Sequence, residues 1–207
     1  MNVITLASCK AGTGKTTLAA QLAGHAIAQG RRCLVVDADP RGAFALLNSR
    51  RAEGALPLAS AERGLERPLE VADFLGYDWA LIDTAPAISL LVQEAIRVAT
   101  IELVRSGRRP YAVVLNAAPA KRDEKEMAVV AQSRAFLDKH QIPVWSGQVS
   151  QRSGLALTLA AGKSACEYEP DSAAAAEIAG LWSAISRSVA AVNEAHAAAR
   201  AGQGRAA

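Results

Sequence analysis

Two lysines, Lys10 and Lys15, bracket the small-residue run Ala11-Gly12-Thr13-Gly14, and Thr16 and Thr17 follow at once. That grouping suits the chemistry of phosphate. Glycines let the backbone curl so that successive N–H groups from Ala11 to Gly14 face one anion. The Lys15 ammonium can reach the outer phosphates of a nucleotide, and the Thr16 hydroxyl is placed to ligate Mg²⁺. An ordinary glycine-rich turn would explain neither the lysine nor the paired threonines. Farther on, Asp37 and Asp39 in Asp37-Ala38-Asp39-Pro40-Arg41-Gly42, and Asp83 in Leu81-Ile82-Asp83-Thr84, stand at the ends of apolar runs. An Asp-x-Asp-Pro at a strand end can simply cap a turn. Downstream of a phosphate loop, such carboxylates can also support a magnesium shell and orient a water, and phosphoryl transfer asks for little more.

These groups need elements to place them. The apolar run Val3 to Ala7 leads into the loop as a strand, and Leu18 to Gln29 leads out as a helix that Gly30 stops. Cys33 to Val36 reads as a strand buried on both faces, and Tyr77 to Pro86 as a second one, ending in Asp83. Between them Phe44 to Asn48 begins a helix, Ser49 to Arg67 is a polar connection with an edge strand around Leu56 to Ala59, and Val71 to Leu75 makes a short helical turn. Ile88 to Thr100 fits a helix, and Arg109 to Asn116 a strand. Glu124 to His140 forms a helix that turns Met127, Val130, Phe136 and Leu137 toward the sheet, and Ile142 to Trp145 starts another short strand. From Ser172 onward Ile178, Leu181, Trp182, Ile185, Val189 and Val192 recur at helical spacing and make a long closing helix. The expected fold is α/β: a mostly parallel sheet with helices on both faces. Residues 1–194 form one domain, and the Ala/Gly/Arg-rich residues 195–207 are expected to fray.

The 207 residues suffice for one sizeable core, and a net charge of +3 permits contact with nucleic acid or an anionic surface without demanding either. Cys9, Cys33 and Cys166 are far apart and read as thiols in a reducing cytoplasm, not as a disulfide or metal framework. Cys9 differs in lying within the phosphate loop. No apolar stretch is long enough to span a bilayer, and no signal peptide is read at the start, so the expected location is cytoplasmic.

Lys10-Ala11-Gly12-Thr13-Gly14-Lys15-Thr16-Thr17 resembles the deviant phosphate loop Lys-Gly-Gly-x-Gly-Lys-Thr-Thr of the ParA/MinD family of P-loop ATPases. Asp37 to Gly42 resembles that family's Asp-x-Asp-Pro-Gln-Gly, and Tyr77 to Pro86 its Tyr-Asp-x-x-x-Ile-Asp-Thr-Pro-Pro. The resemblance implies ATP and Mg²⁺ as ligands. It implies that Lys10 crosses to a partner subunit's ATP, that Lys15, Thr16, Asp37 and Asp83 serve phosphate and metal, that Asp39 acts on the attacking water, and that Asn116 contacts the adenine edge. Three departures stand out: Ala11 and Arg41 replace glycine and glutamine, and Ala85 replaces proline. If position 11 needs a positive φ, alanine there strains the loop. About one strand and most of a helix of the family pattern is also missing after Thr100.

Within the family the chain resembles the short ParA-type proteins that position plasmids, chromosomal regions or protein cargo and lack an N-terminal DNA-reading domain. That implies an ATP-dependent homodimer, non-specific nucleoid DNA as a partner, and stimulation by a ParB-like or cargo-adaptor activator. Candidate DNA-phosphate contacts are Arg97, Arg105, Arg108, Arg109, Lys121, Arg122, Lys125 and Arg187. A membrane-bound MinD-like role is disfavoured because His196 to Ala207 offers only alanine and glycine as an apolar side. Bridging cysteines of the nitrogenase-iron-protein kind are also missing. The alternative is a nucleotide-binding scaffold or regulatory dimer with little or no turnover.

Overall fold

Short runs of Val, Leu and Ile make the strands of the N-terminal half. β1 (Asn2–Leu6), β2 (Cys33–Ala38), β3 (Leu58–Ser60) and β4 (Trp79–Thr84) pair in parallel in the order β1-β4-β2-β3. The computed structural model describes residues 1–51, 54–86, 90–95, 111–123 and 125–203. β2 and β4 are buried throughout, as central strands of a parallel sheet must be. Their side chains alternate between two cores. Cys33, Val35, Trp79 and Leu81 face one core, and Leu34, Val36, Ala80 and Ile82 the other.

Helices cover both faces. α1 (Lys15–Ala28) lies on the first, buried from Leu18 to Ala26 between the sheet and the C-terminal helices. Ala19, Ala20, Ala23, Gly24 and Ala26 are small, which lets backbones approach closely. Gly24 shows the limit: a Cβ there would stand 2.6 Å from the Ser164 hydroxyl. The second face is covered by α3 (Glu66–Phe74), through Leu69 and Ala72, and by helical residues 90–95, through Leu91 and Ala95. α3 is longer than the turn expected at Val71 to Leu75. Pro68 sits in its first turn, where the missing N–H costs no helical bond. α2 (Ala43–Asn48) follows β2 and buries Phe44.

The rest of the chain builds a second, smaller sheet in which β5 (Asn116–Ala118) pairs in parallel with β6 (Val149–Ser150). Among the described residues β1 pairs only with β4, so the sheet expected to be continuous is divided in two. The strands expected at 109–116 and 142–145 are reduced accordingly. Residues 109 and 110 lie outside the described residues, and ahead of β5 there is one bridge between Val113 and Val144. Pro143 cannot donate to a ladder there, and a bulge at Ala117 (φ 52°) bends β5.

α4 (Ala128–Lys139), α5 (Ser153–Ala160), α6 (Ala165–Tyr168) and α7 (Ala173–Gln203) complete the described structure. Val130 of α4 is buried as expected, but Phe136 is 61% exposed and stacks on His140. α4 has two apolar stripes, and Val130 with Leu137 is the inward one. α7 buries Ile178, Leu181, Trp182 and Val189, and Trp182 packs on Trp79 of β4 with ring centroids 4.8 Å apart. It carries helix through Gln203, across residues read as a fraying tail, because alanine is the strongest helix former. The break after Thr100 falls outside the described residues.

Candidate nucleotide site

At the C-terminal end of β1 the chain turns through Ser8 to Gly14 and enters α1. The Ser8 hydroxyl accepts from the Lys10 N–H at 3.3 Å, and the Thr13 hydroxyl donates to the Lys10 carbonyl at 3.3 Å. Gly12 (φ 73°) and Gly14 (φ 83°) take the left-handed conformations that curl the loop. Ala11 is not among the residues with positive φ, so the strain expected from alanine at that position does not arise. Gly14 caps α1, whose first N–H groups have no intrahelical partner and carry the positive end of the helix dipole. Lys15, Thr16 and Thr17 form that first turn.

The acids arrive from the two central strands. Asp37 and Asp83 are register partners on β2 and β4, which puts their carboxylates side by side. Asp37 accepts backbone N–H groups from Asp39 and Ala45, both at 3.1 Å, and so also ties down the start of α2. Asp83 is 0% exposed, and neither carboxylate oxygen has a hydrogen-bond partner. Burial pushes its pKa up to about 6. The nearby Thr16 hydroxyl favours the anion without closing a hydrogen bond, Asp37 raises the pKa further, Lys15 lowers it, and Asp39 raises it. A buried carboxylate with two orphaned oxygens beside a threonine hydroxyl and a lysine fits a hydrated divalent cation carried in with phosphates. Among the described residues no three His, Cys, Asp or Glu side chains converge as a metal cage. Magnesium on a nucleotide needs only one or two protein ligands.

Asp39 lies just beyond β2 and is covered by Arg41. The guanidinium beside it holds its carboxyl below the usual range against the opposing effect of burial, and Lys15 lowers it further. Arg41 was legible in sequence only as a departure from a pattern. Its contact with Asp39 was not.

A cleft of about 490 Å³ runs from Gly12, Gly14 and Thr17 to a second wall. That wall has Leu46 and Leu47 of α2 and Arg50 just past it on one side and Asn116, Arg152 and Leu155 on the other. It is apolar with a few amide and guanidinium groups, which suits a flat heterocycle. Asn116 reaches back to the loop: its Nδ2 donates to the Thr13 carbonyl at 2.6 Å. Its amide also leaves no room for a side chain at position 14, since a Cβ there would sit 2.4 Å away. Glu177 of α7 braces the same wall by accepting from the Ser150 N–H and hydroxyl and from Arg152. Leu46, Leu47 and Arg50 were not singled out from the sequence, because nothing local marks α2 as a cleft wall.

Lys10 stands exposed at the mouth and forms no ion pair among the described residues. Cys9 is exposed beside it, whereas Cys33 is buried and its thiol is pushed up to about 12 by burial and by Asp78. Of the candidate DNA contacts, Arg97, Arg105, Arg108 and Arg109 lie outside the described residues. Lys121, Arg122 and Lys125 are exposed on one tight turn closed by paired backbone bonds between Arg122 and Lys125, and Arg187 is exposed on α7. No helix among the described residues is long and apolar enough to cross a membrane.

Residues 4–165 match the family described as the CobQ/CobB/MinD/ParA nucleotide binding domain. A maintenance of carboxysome distribution protein A from Gloeobacter kilaueensis is 36% identical over 103 residues, covering 49% of this chain and 47% of that protein. The chromosome-partitioning ATPase Soj of Thermus thermophilus is 32% identical over 126 residues, covering 46% of this chain and 51% of that protein. The chain therefore matches about half the length of these curated relatives. Among solved structures, an ATP complex of Cyanothece McdA carrying D38A superposes with a TM-score of 0.62 at 16% identity, over 90% of this chain and 96% of that one. Pyrococcus horikoshii MinD with Mg-ADP gives 0.61 at 20% identity, over 89% and 95%. At those identities the likeness concerns the fold.

Proposed function

Because the chain belongs to the CobQ/CobB/MinD/ParA nucleotide-binding family, we propose that it is a ParA-type ATPase, an ATP-dependent dimerisation switch that positions plasmid, chromosomal or protein cargo. The observation that carries this reading is the convergence of Lys15 and Thr16 with Asp37, Asp39 and Asp83 at the ends of β2 and β4. ATP would lie with its phosphates on Gly12 to Thr17 and its base between α2 and the Asn116 wall. Mg²⁺, when bound, neutralises phosphate charge. Thr16 and Asp83 would hold it, with Asp37 in support. Asp39 would accept a hydrogen bond from the attacking water. Lys10, exposed and uncommitted, is free to reach a second subunit's nucleotide, and this supports the homodimer. The turn bearing Lys121, Arg122 and Lys125 supports weak, sequence-independent contact with DNA phosphates, doubled in a dimer. A ParB-like or cargo-adaptor partner would trigger hydrolysis, in the cytoplasm and on the nucleoid.

The test joins phosphate release to hydrodynamics. Wild type with ATP and Mg²⁺ is expected to sediment as a dimer and release phosphate slowly. Asp39→Ala is expected to keep the dimer while losing release by about 100-fold. Lys10→Ala is expected to bind ATP as a monomer. A sedimentation coefficient indifferent to ATP would sink the switch. The second reading, a nucleotide-bound scaffold with little turnover, draws on the closed state of Asp39.

A further inference from the structure

The carboxylate proposed to handle water is fully engaged. Asp39 Oδ1 accepts the Arg41 backbone N–H at 3.0 Å and Arg41 Nε at 3.0 Å. Oδ2 accepts Nη2 at 2.6 Å and Nε at 3.2 Å. The backbone bond is an ordinary Asx turn, and the side-chain fork is an addition to it. The Asp39 side chain is 4% exposed although it lies past the strand end, because the 65% exposed Arg41 guanidinium lies over it. A water cannot donate to Asp39 along the directions the guanidinium occupies.

We propose that Arg41 is a positioning residue that latches Asp39 shut, and that hydrolysis requires the guanidinium to leave the carboxylate. The inference rests on the reading of Asp39 as the water-orienting group. The latch is local, since the single residue Pro40 separates its halves and stiffens the turn between them. It is also weakly held from outside, because the guanidinium faces solvent. A nucleotide triphosphate arriving on Lys15 brings a competing array of anionic oxygens to which the fork is equally suited. With the latch open, Asp39 accepts a hydrogen bond from water, the water oxygen bonds to the γ-phosphorus, and the bond to the β–γ bridging oxygen breaks. ADP keeps that oxygen, and the water's protons leave with phosphate and solvent. Slow turnover is then a property of residue 41, and it joins the ATPase and scaffold readings in one device.

The experiment measures steady-state phosphate release from the full chain with saturating ATP and Mg²⁺, together with affinity for a fluorescent ATP analogue. The variants are Arg41→Gln, Arg41→Ala, Arg41→Lys and Asp39→Ala. Arg41→Gln and Arg41→Ala are expected to raise kcat about threefold to tenfold while nucleotide affinity falls modestly, because the guanidinium that would leave for the phosphates is gone. Arg41→Lys, which keeps the charge but loses the fork, is expected to fall between them and wild type. A merely structural role would lower kcat or leave it alone. Unchanged or reduced kcat in both neutral variants, with thermal unfolding like wild type, overturns the latch. If those variants unfold early, the Arg41→Lys result decides: kcat at or below wild type overturns it. Release from Asp39→Ala equal to wild type would instead overturn the reading of Asp39. Release from every variant at the blank, with analogue still bound, overturns the latch, because opening it would then free nothing.

Discussion

One strand, one turn and one helix, all within residues 2–28, deliver the phosphate side of the cleft, whereas its base side is assembled from β5, the turn ahead of α5, and a brace from α7. On the phosphate side the groups are neighbours in sequence, and the local conformation of Gly12 and Gly14 sets their geometry. On the base side Asn116 and Arg152 come together only because a short, bulged parallel pair and Glu177 hold them. The first side rests on β1, which pairs along its length with the fully buried β4. The second hangs on a two-stranded sheet, a kind that needs outside packing to persist. The comparison suggests that affinity resides in the first and selectivity in the second.

The largest effect expected from this division is at Lys15. Lys15→Ala removes the ammonium at the phosphates and should weaken ATP binding by about 100-fold while leaving the melting temperature of the free protein within error. Titration of a fluorescent ATP analogue and a thermal scan check both halves of that statement. A large loss of stability without ligand would mean that Lys15 is structural and that the division is wrong.

A smaller effect is expected at Asn116. Asn116→Ala removes the donor to the Thr13 carbonyl and an amide at the base wall, so ATP affinity should fall by about tenfold. The preference for ATP over GTP should narrow as well. Equal losses for the two nucleotides would assign Asn116 to the loop alone and leave base selection to the α2 wall.

The same division explains what could be read from the sequence. Lys15, Thr16, Asp37 and Asp83 were legible because each sits at the end of a strand or the start of a helix whose apolar pattern is unmistakable, and pairing in register then brings the two aspartates together. Ala11 could be seen as a substitution, but its φ could not, and the backbone places the left-handed turns at Gly12 and Gly14 instead. Phe136 was misplaced because periodicity identifies stripes on a helix without saying which one meets the sheet. The split of the sheet, the bulge at Ala117 and the α2 wall depend on partners remote in sequence, and no local pattern encodes them.

The smallest effect tests whether the two sides are mechanically joined. Arg51, just past α2, is 7% exposed and donates to both oxygens of Glu167, a residue 116 positions away on α6. Glu167 also accepts the Ser164 N–H at 2.7 Å and so caps that helix. Burial would raise the Glu167 pKa, but the Arg51 hydrogen bonds and the Ser164 contacts outweigh it and bring it down from 4.5 to about 2. A depressed carboxylate pKa means that the folded state gives up its proton more readily than the unfolded chain. Its stabilisation is therefore present above about pH 4.5 and lost as pH falls toward about 2. Glu167→Gln leaves Arg51 buried without its counter-charge and should cost about 1–2 kcal/mol in urea unfolding at pH 7. The difference from wild type should shrink steadily below about pH 4.5. If α6 steadies the α2 wall through this tie, the same variant should also weaken ATP binding modestly. A stability loss with nucleotide affinity intact would mean that the tie holds the fold together but does not shape the cleft.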